Sequence, residues 1–156
     1  MFMKKITVYY SWSGKTAEMA ETIAKLTDSQ LVGVKPVTPY SDDYKTCVDQ
    51  SMFQVEKGEC PPVAYDKIDL SGVETVYIGT PIWFGTIAGP ILTFINENDK
   101  LKGKKVAVFC THGGGGKGKT DEDMKKFCPE AELLETLAVK EGGTPEEIEA
   151  WAEKVK

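Results

Sequence analysis

Strand-like and helix-like stretches alternate five times along this chain, and that alternation limits its fold more than any other feature. Lys4 to Tyr10 reads as a strand, and 14–26 as a helix. Ala17, Ala20, Ile23 and Ala24 sit there at helical spacing, with Glu21 and Lys25 as an i,i+4 pair outside. A second strand spans 30–37, β-branched at Val32, Val34 and Val37, and Pro36 suits a sheet edge. Tyr44, Val48, Met52 and Val55 form one helical stripe, giving a helix over 41–58 ended by Gly58. Residues 60–70 read as a proline-bearing loop, 73–79 as a strand, and 80–89 as a long loop. Pro90 opens a helix with Ile91, Leu92 and Ile95 facing inward. Lys104 to Thr111 is a continuous apolar strand, as the middle of a parallel sheet requires. Thr120 opens a fourth helix, and 132–139 reads as a fifth strand, although its leucine spacing also fits a helix. Thr144-Pro145-Glu146-Glu147 is a capping box that starts a helix carrying Ile148, Trp151, Ala152 and Val155. Five such units predict a parallel sheet with helices on both faces.

Composition removes several function classes. A length of 156 residues fits one domain, and 41% apolar with 28% charged residues is ordinary for a globular chain. No apolar run approaches the roughly 20 residues of a membrane span, and 1–5 lead straight into a strand without a signal-peptide layout. The expected location is the cytoplasm. A net charge of −5 argues against nucleic acid as partner. Every basic residue is Lys, which disfavours chemistry built on a bidentate Arg clamp. Cys47, Cys60, Cys110 and Cys128 show no C-x-x-C spacing and His112 is the only histidine, so a metal site lacks its ligands and buried free thiols are expected. A Ser-His-Asp or Cys-His centre would have to use His112, and nothing near it suggests one.

The first strand ends in Ser11-Trp12-Ser13-Gly14-Lys15-Thr16, which runs into a helix. Unpaired N–H groups and the positive end of the helix dipole bind phosphate at such a junction. Gly14 allows close backbone approach, and the hydroxyls of Ser11, Ser13 and Thr16 add donors without bulk. In an open parallel sheet, ligands sit beyond the carboxyl ends of the strands, at the switch point. With the order 2-1-3-4-5, the loops after strands 1, 3 and 4 converge there. They are the three unusual loops of this sequence.

Ser11 to Thr16 resembles the phosphate loop of flavodoxins. Thr80-Pro81-Ile82-Trp83-Phe84-Gly85 is similar to their loop whose aromatic residue stacks on the flavin. Thr111-His112-Gly113-Gly114-Gly115-Gly116 resembles the third loop, which wraps the far edge of the ring. With the five strand–helix units, the resemblance covers nearly the whole chain. It implies a flavodoxin-like three-layer sandwich, with a five-stranded parallel sheet of order 2-1-3-4-5, and non-covalent FMN. Trp83 is expected to stack on the ring and Phe84 to pack. Trp12 either leans over the ring or shields the phosphate. Glycines 113 to 116 bring backbone groups to the ring edge. His112 either touches the ring or packs, and Lys15 points either into the site or into solvent. Many flavodoxins carry acids in the third loop. This chain has Lys117 and Lys119 there, which would favour the reduced anionic ring and a less reducing flavin.

The resemblance implies a monomeric carrier that shuttles electrons between redox partner proteins, its acidic charge steering basic partners. An alternative is an FMN-dependent NAD(P)H oxidoreductase of the quinone-reductase type. Another is a domain of this fold that has lost flavin, against which the intact loops argue. Gly113 to Thr120 also fits the G-x-x-x-x-G-K-[ST] pattern of nucleotide-binding P-loops. Glycines and lysines satisfy that pattern cheaply, and no later apolar strand ends in the Asp expected to hold Mg²⁺.

Overall fold

The computed structural model describes residues 4–57, 60–140 and 142–155. Its elements are β1 (Lys4–Tyr9), α1 (Lys15–Thr27), β2 (Gln30–Gly33), β3 (Lys35–Pro36), α2 (Tyr44–Lys57), β4 (Val63–Ala64) and β5 (Val73–Trp83). They continue with β6 (Thr86–Ile87), α3 (Gly89–Glu97), β7 (Lys105–His112), α4 (Thr120–Phe127), β8 (Glu132–Leu133), β9 (Leu137–Lys140) and α5 (Pro145–Lys154). The main sheet runs β2-β1-β5-β7, with β8 and β9 both beside β7, and all these pairings are parallel. With β8 and β9 taken as two halves of the fifth strand, this is the expected 2-1-3-4-5 order. The carboxyl end of β1 lies beside β5, Tyr9 opposite Gly79.

Two apolar layers flank the sheet. On one face Met19, Ala20 and Ile23 of α1 and Ile148, Trp151 and Ala152 of α5 pack on Tyr77, Ala107 and Phe109. On the other, Ile91, Phe94 and Ile95 of α3, Met124 of α4 and Cys47 of α2 cover Val76, Ile78, Val106 and Val108. Ile91, Phe94 and Ile95 are wholly buried, and each such side chain contributes roughly 1.5–3 kcal/mol of transfer free energy.

Four elements depart from the sequence reading. The second strand stops at Gly33, and Lys35–Pro36 leaves the sheet to pair antiparallel with Val63–Ala64. Pro36 thus sits in a two-stranded ribbon, where its missing N–H is tolerated. Among the described side chains of α2 the buried ones are Cys47 and Ser51, whereas Tyr44 and Met52 are exposed. Period alone finds a stripe without saying which side of it meets the core, and here the helix is turned by one residue. The proposed stop at Gly58 and the side chain of Val55 lie outside the described residues.

The third strand does not end at Gly79 but runs on through Thr80-Pro81-Ile82-Trp83. Pairing with β1 ends at Gly79, so by Pro81 that side is uncovered and the missing N–H breaks no ladder. The fifth strand is split by a bulge. Val106 pairs with Leu133 and Phe109 with Leu137, so three residues on one strand face two on the other. The extra residue reverses the alternation, so that Leu133 packs on one face of the sheet while Leu134 and Leu137 pack on the other. That reversal produces the leucine spacing that also reads as helical.

Candidate functional site

β1 delivers the chain to the C-terminal edge of the sheet, and the backbone then turns through Ser11 to Gly14 into α1. Gly14, in the left-handed region at φ 97°, is the residue before the first helical turn. Its N–H donates to Ser11 Oγ at 3.0 Å. The next three amides, of Lys15, Thr16 and Ala17, have no acceptor within the helix, and among the described residues no side chain caps this end. Ser13 and Lys15 are exposed beside them and Ser11 is half-buried. Thr16 is different: it is buried, and its Oγ1 lies 3.0 Å from Thr111 Oγ1. Its hydroxyl therefore ties two loops together. Trp12 turns away from the helix start. Its Nε1 donates to the Ser41 carbonyl at 3.0 Å and its ring meets that of Tyr44 edge-on at 6.1 Å.

The second segment is a hairpin, not an open loop. Ile82 pairs with Ile87 and Trp83 with Thr86, and the two turn residues, Phe84 and Gly85, have φ of 53° and 78°. Two positive φ angles are what a type I′ hairpin needs. Thr80 is fully buried: its Oγ1 donates to the Pro81 carbonyl at 2.8 Å and accepts from Ala88 N–H at 3.0 Å, fixing the start of α3. Trp83 is half-buried and stands on two tyrosines. Tyr40 lies at 5.1 Å and 86°, Tyr10 at 5.5 Å and 81°. Burial, with Cys47 and Tyr40 nearby, pushes the Tyr10 phenol well above its ordinary value, so it stays neutral. Phe84 does not pack as expected. It is 44% exposed, because the left-handed turn projects its side chain off the hairpin tip. A bulky residue at positive φ is strained, and such strain concentrates at ligand-contacting positions. Thr86 Oγ1 is buried without a hydrogen-bond partner among the described residues.

β7 ends at His112, and the glycine run follows. Gly113, Gly114 and Gly115 are exposed and Gly116 is half-buried, with Gly114 and Gly116 at positive φ. Their arrangement is set by one atom. His112 Nδ1 accepts from Gly114 N–H at 3.1 Å and from Gly116 N–H at 3.2 Å. Further on, Gly118 lies directly on the hairpin tip, and Lys119 N–H donates to the Gly85 carbonyl at 2.6 Å. Gly118 carries no signal in the sequence beyond its type. Only the approach of a distant backbone explains it.

Lys117 does not stand free. Its Nζ is 2.5 Å from Asp121 Oδ2, while Thr136 Oγ1 donates to Asp121 Oδ1 at 2.7 Å. Burial acts to raise the Asp121 carboxyl. The hydrogen bonds from Lys117 and Thr136 outweigh it and hold the group below the usual carboxylate range. The positive charge read into this loop from Lys117 is therefore offset by Asp121. Gly118, Lys119 and the Thr120 hydroxyl, which donates to the Lys117 carbonyl at 2.6 Å, are likewise spent on local structure. The P-loop alternative thereby loses two of its groups, the Thr120 hydroxyl and the Lys119 backbone amide.

Of the four thiols, Cys47, Cys110 and Cys128 are buried as expected, and Cys60 is exposed. Burial, reinforced by Asp121 and opposed by Lys117, pushes Cys110 up to about 12, and burial takes Cys128 to about 11. Neither supplies a thiolate at neutral pH. Among the described residues no group of three His, Cys, Asp or Glu could hold a metal ion, and no helix is long and apolar enough to cross a membrane.

The three segments thus form one site. Thr16 and Thr111 join the first to the third, Gly85 joins the second to the third, and Tyr10 with Trp83 joins the first to the second. Unclaimed amides and hydroxyls lie at one end, aromatic rings in the middle, and glycine backbone at the far side. A doubly wound sheet gathers these three segments at its switch point, the place where such folds bind their ligands. The flavodoxin family model matches residues 4–155, and the chain belongs to that family. It is similar over nearly its whole length to three solved structures. A flavoprotein in complex with FMN from Lactobacillus acidophilus is 27% identical, with 97% of this chain and 99% of that chain covered and a TM-score of 0.78. A protein assigned as a flavoprotein, from Bacteroides eggerthii, is 28% identical over 99% and 98% of the two chains, with a TM-score of 0.85. Another from Bacteroides uniformis, at 24% identity, shares the fold over 99% and 100% of the chains with a TM-score of 0.87.

Proposed function

We propose that this protein binds one FMN at the three joined segments and carries electrons between redox partners. One observation carries the reading: the segments after β1, β5 and β7 are fastened to one another, so the site is built before a ligand arrives. The amides of Lys15, Thr16 and Ala17, with the hydroxyls of Ser11 and Ser13, suit the phosphate. The hairpin rings suit the isoalloxazine: Trp83 as a platform backed by Tyr10 and Tyr40, Phe84 as the exposed ring at the tip. The amides of Gly113 and Gly115 and the carbonyls of 113–116 suit the polar ring edge, and the orphaned Thr86 hydroxyl fits a site that a ligand completes. Similarity to the FMN complex from Lactobacillus acidophilus supports the same cofactor.

FMN supplies the redox chemistry when bound. The residues of the chain bind it, orient it and shield one side of it. No acid–base step is assigned to them: His112 Nδ1 is engaged by two backbone amides and Asp121 by Lys117 and Thr136. These engagements favour a carrier over an NAD(P)H oxidoreductase, which needs groups of its own to receive a second substrate. The protein is a carrier that works as a monomer in the cytoplasm, its net charge of −5 steering basic partner proteins. Mixing the FMN-loaded protein with NADH or NADPH under anaerobic conditions separates the two readings. A carrier stays oxidised until a separate reductase is added. Rapid bleaching of the flavin bands by NAD(P)H alone would make it an enzyme.

A further inference from the structure

We propose that His112 is a proton-sensitive latch on the glycine loop, and that FMN affinity therefore falls as the solution is acidified. This rests on the proposed FMN site. The observation behind it is the pair of hydrogen bonds from Gly114 and Gly116 to His112 Nδ1, at 3.1 and 3.2 Å. An imidazole nitrogen accepts only while it carries no proton, so the proton of the neutral ring is on Nε2. Protonation at Nδ1 turns the acceptor into a donor aimed at two other donors. Both loop hydrogen bonds are then lost together.

The loop has little else to hold its shape. Gly113, Gly114 and Gly115 are exposed, and a Cβ added at any of 113–116 would meet nothing within 4 Å. Four glycines have more conformational freedom than any other four residues, so the two bonds to His112 select one arrangement from many. The anchors on either side do not depend on the imidazole: Thr111 is tied to Thr16, and Lys119 to Gly85. Only the segment between them is released.

Among the described residues, no hydrogen bond or ion pair joins His112 to a carboxylate. Lys140 on β9 is the register partner of His112, Lys15 opens α1, and Lys117 and Lys119 belong to the loop itself. Of the carboxylates near this loop among the described residues, Asp121 is already engaged by Lys117 and Thr136, and Glu135 is paired with Lys154. His112 acts on the cofactor through the loop; it is a positioning residue and not a catalytic one.

Two measurements test this. The first needs no flavin. In ¹⁵N–¹H spectra of the apoprotein, the Gly114 and Gly116 amide signals should move together as the solution is taken from neutral to acid pH. In H112N, whose side-chain oxygen can accept at the place of Nδ1 but does not titrate, they should stay still. The second is the FMN dissociation constant across the same range. Losing the lone pair that the two amides share should weaken wild-type binding roughly tenfold at acid pH. The FMN phosphate also changes charge near pH 6, and H112N isolates that contribution. H112N should keep near-neutral wild-type affinity with only the phosphate's pH dependence, and H112A should bind weakly throughout. Glycine amides that ignore pH, or an H112N profile equal to wild type, would overturn the latch. Failure of FMN to bind at any pH would instead remove the proposed function and leave the amide titration to judge the loop.

Discussion

A methyl group at Gly118 would lie 2.7 Å from the Cα and 2.8 Å from the carbonyl carbon of Gly85, at a φ of +57° that side chains avoid. Neither backbone can yield without moving the hairpin tip. Gly118→Ala should therefore cost roughly 1–3 kcal/mol of stability, read as a lower denaturant midpoint. An unchanged midpoint would mean that the two loops are not in contact. A buried hydroxyl pair makes a second residue-scale expectation. Thr111→Val leaves the Thr16 hydroxyl without its partner and should cost about 1–3 kcal/mol. Adding Thr16→Val removes both polar groups and should recover much of that loss, because the unmade hydrogen bond is what costs. Simple additivity of the two substitutions in a double-mutant cycle would contradict the pairing. Both features escape sequence reading for the same reason. Thr16 and Thr111 are 95 positions apart, and Gly85 and Gly118 belong to different loops, so no local pattern records either contact.

Among elements, the positions of all five helices follow from periodicity, because burial leaves a strong signal in helices such as α5, whereas the order of the sheet comes from the family resemblance. Ile148, Trp151, Ala152 and Val155 are all buried, as their spacing requires. Weaker elements misled. α2 has a polar residue, Ser51, on its buried face, so its most apolar stripe is not its inner one. Pro81 and Gly85 read as loop residues and conceal the hairpin at 80–87, so the sequence suggests packing for Phe84, which is the ring left exposed. The bulge between β8 and β9 has its own consequence. It carries Thr136 to Asp121, and through Asp121 to Lys117 at the end of the glycine loop. A carboxyl held below its ordinary value stabilises the fold above that value, and the contribution is lost as pH falls through the lower one. Asp121→Asn should thus be less stable than wild type above about pH 4, with the difference closing in stronger acid. The pair is nearly half exposed, so solvent screening keeps the effect below about 1 kcal/mol. Thermal melts of both proteins at neutral and acid pH would show it. A gap that widens with acid would contradict the assignment.

For the molecule as a whole, the sequence was most informative at the switch point. The hydroxyl-rich turn, the Trp-Phe-Gly tip and the glycine run are short, local and chemically distinct, and each lies where the sheet order puts it. What the sequence could not show is how they hold one another: a threonine pair, a backbone contact between two glycines, a tryptophan on two tyrosines, and an imidazole gathering two amides. Those contacts join three loops into one connected framework. The direct test of that account is a titration of the purified, flavin-free protein with FMN, followed by flavin fluorescence and by the visible spectrum after desalting. The account predicts saturation at one FMN per chain, with perturbed flavin bands that survive desalting. Free-flavin fluorescence throughout, with no flavin retained, would contradict it.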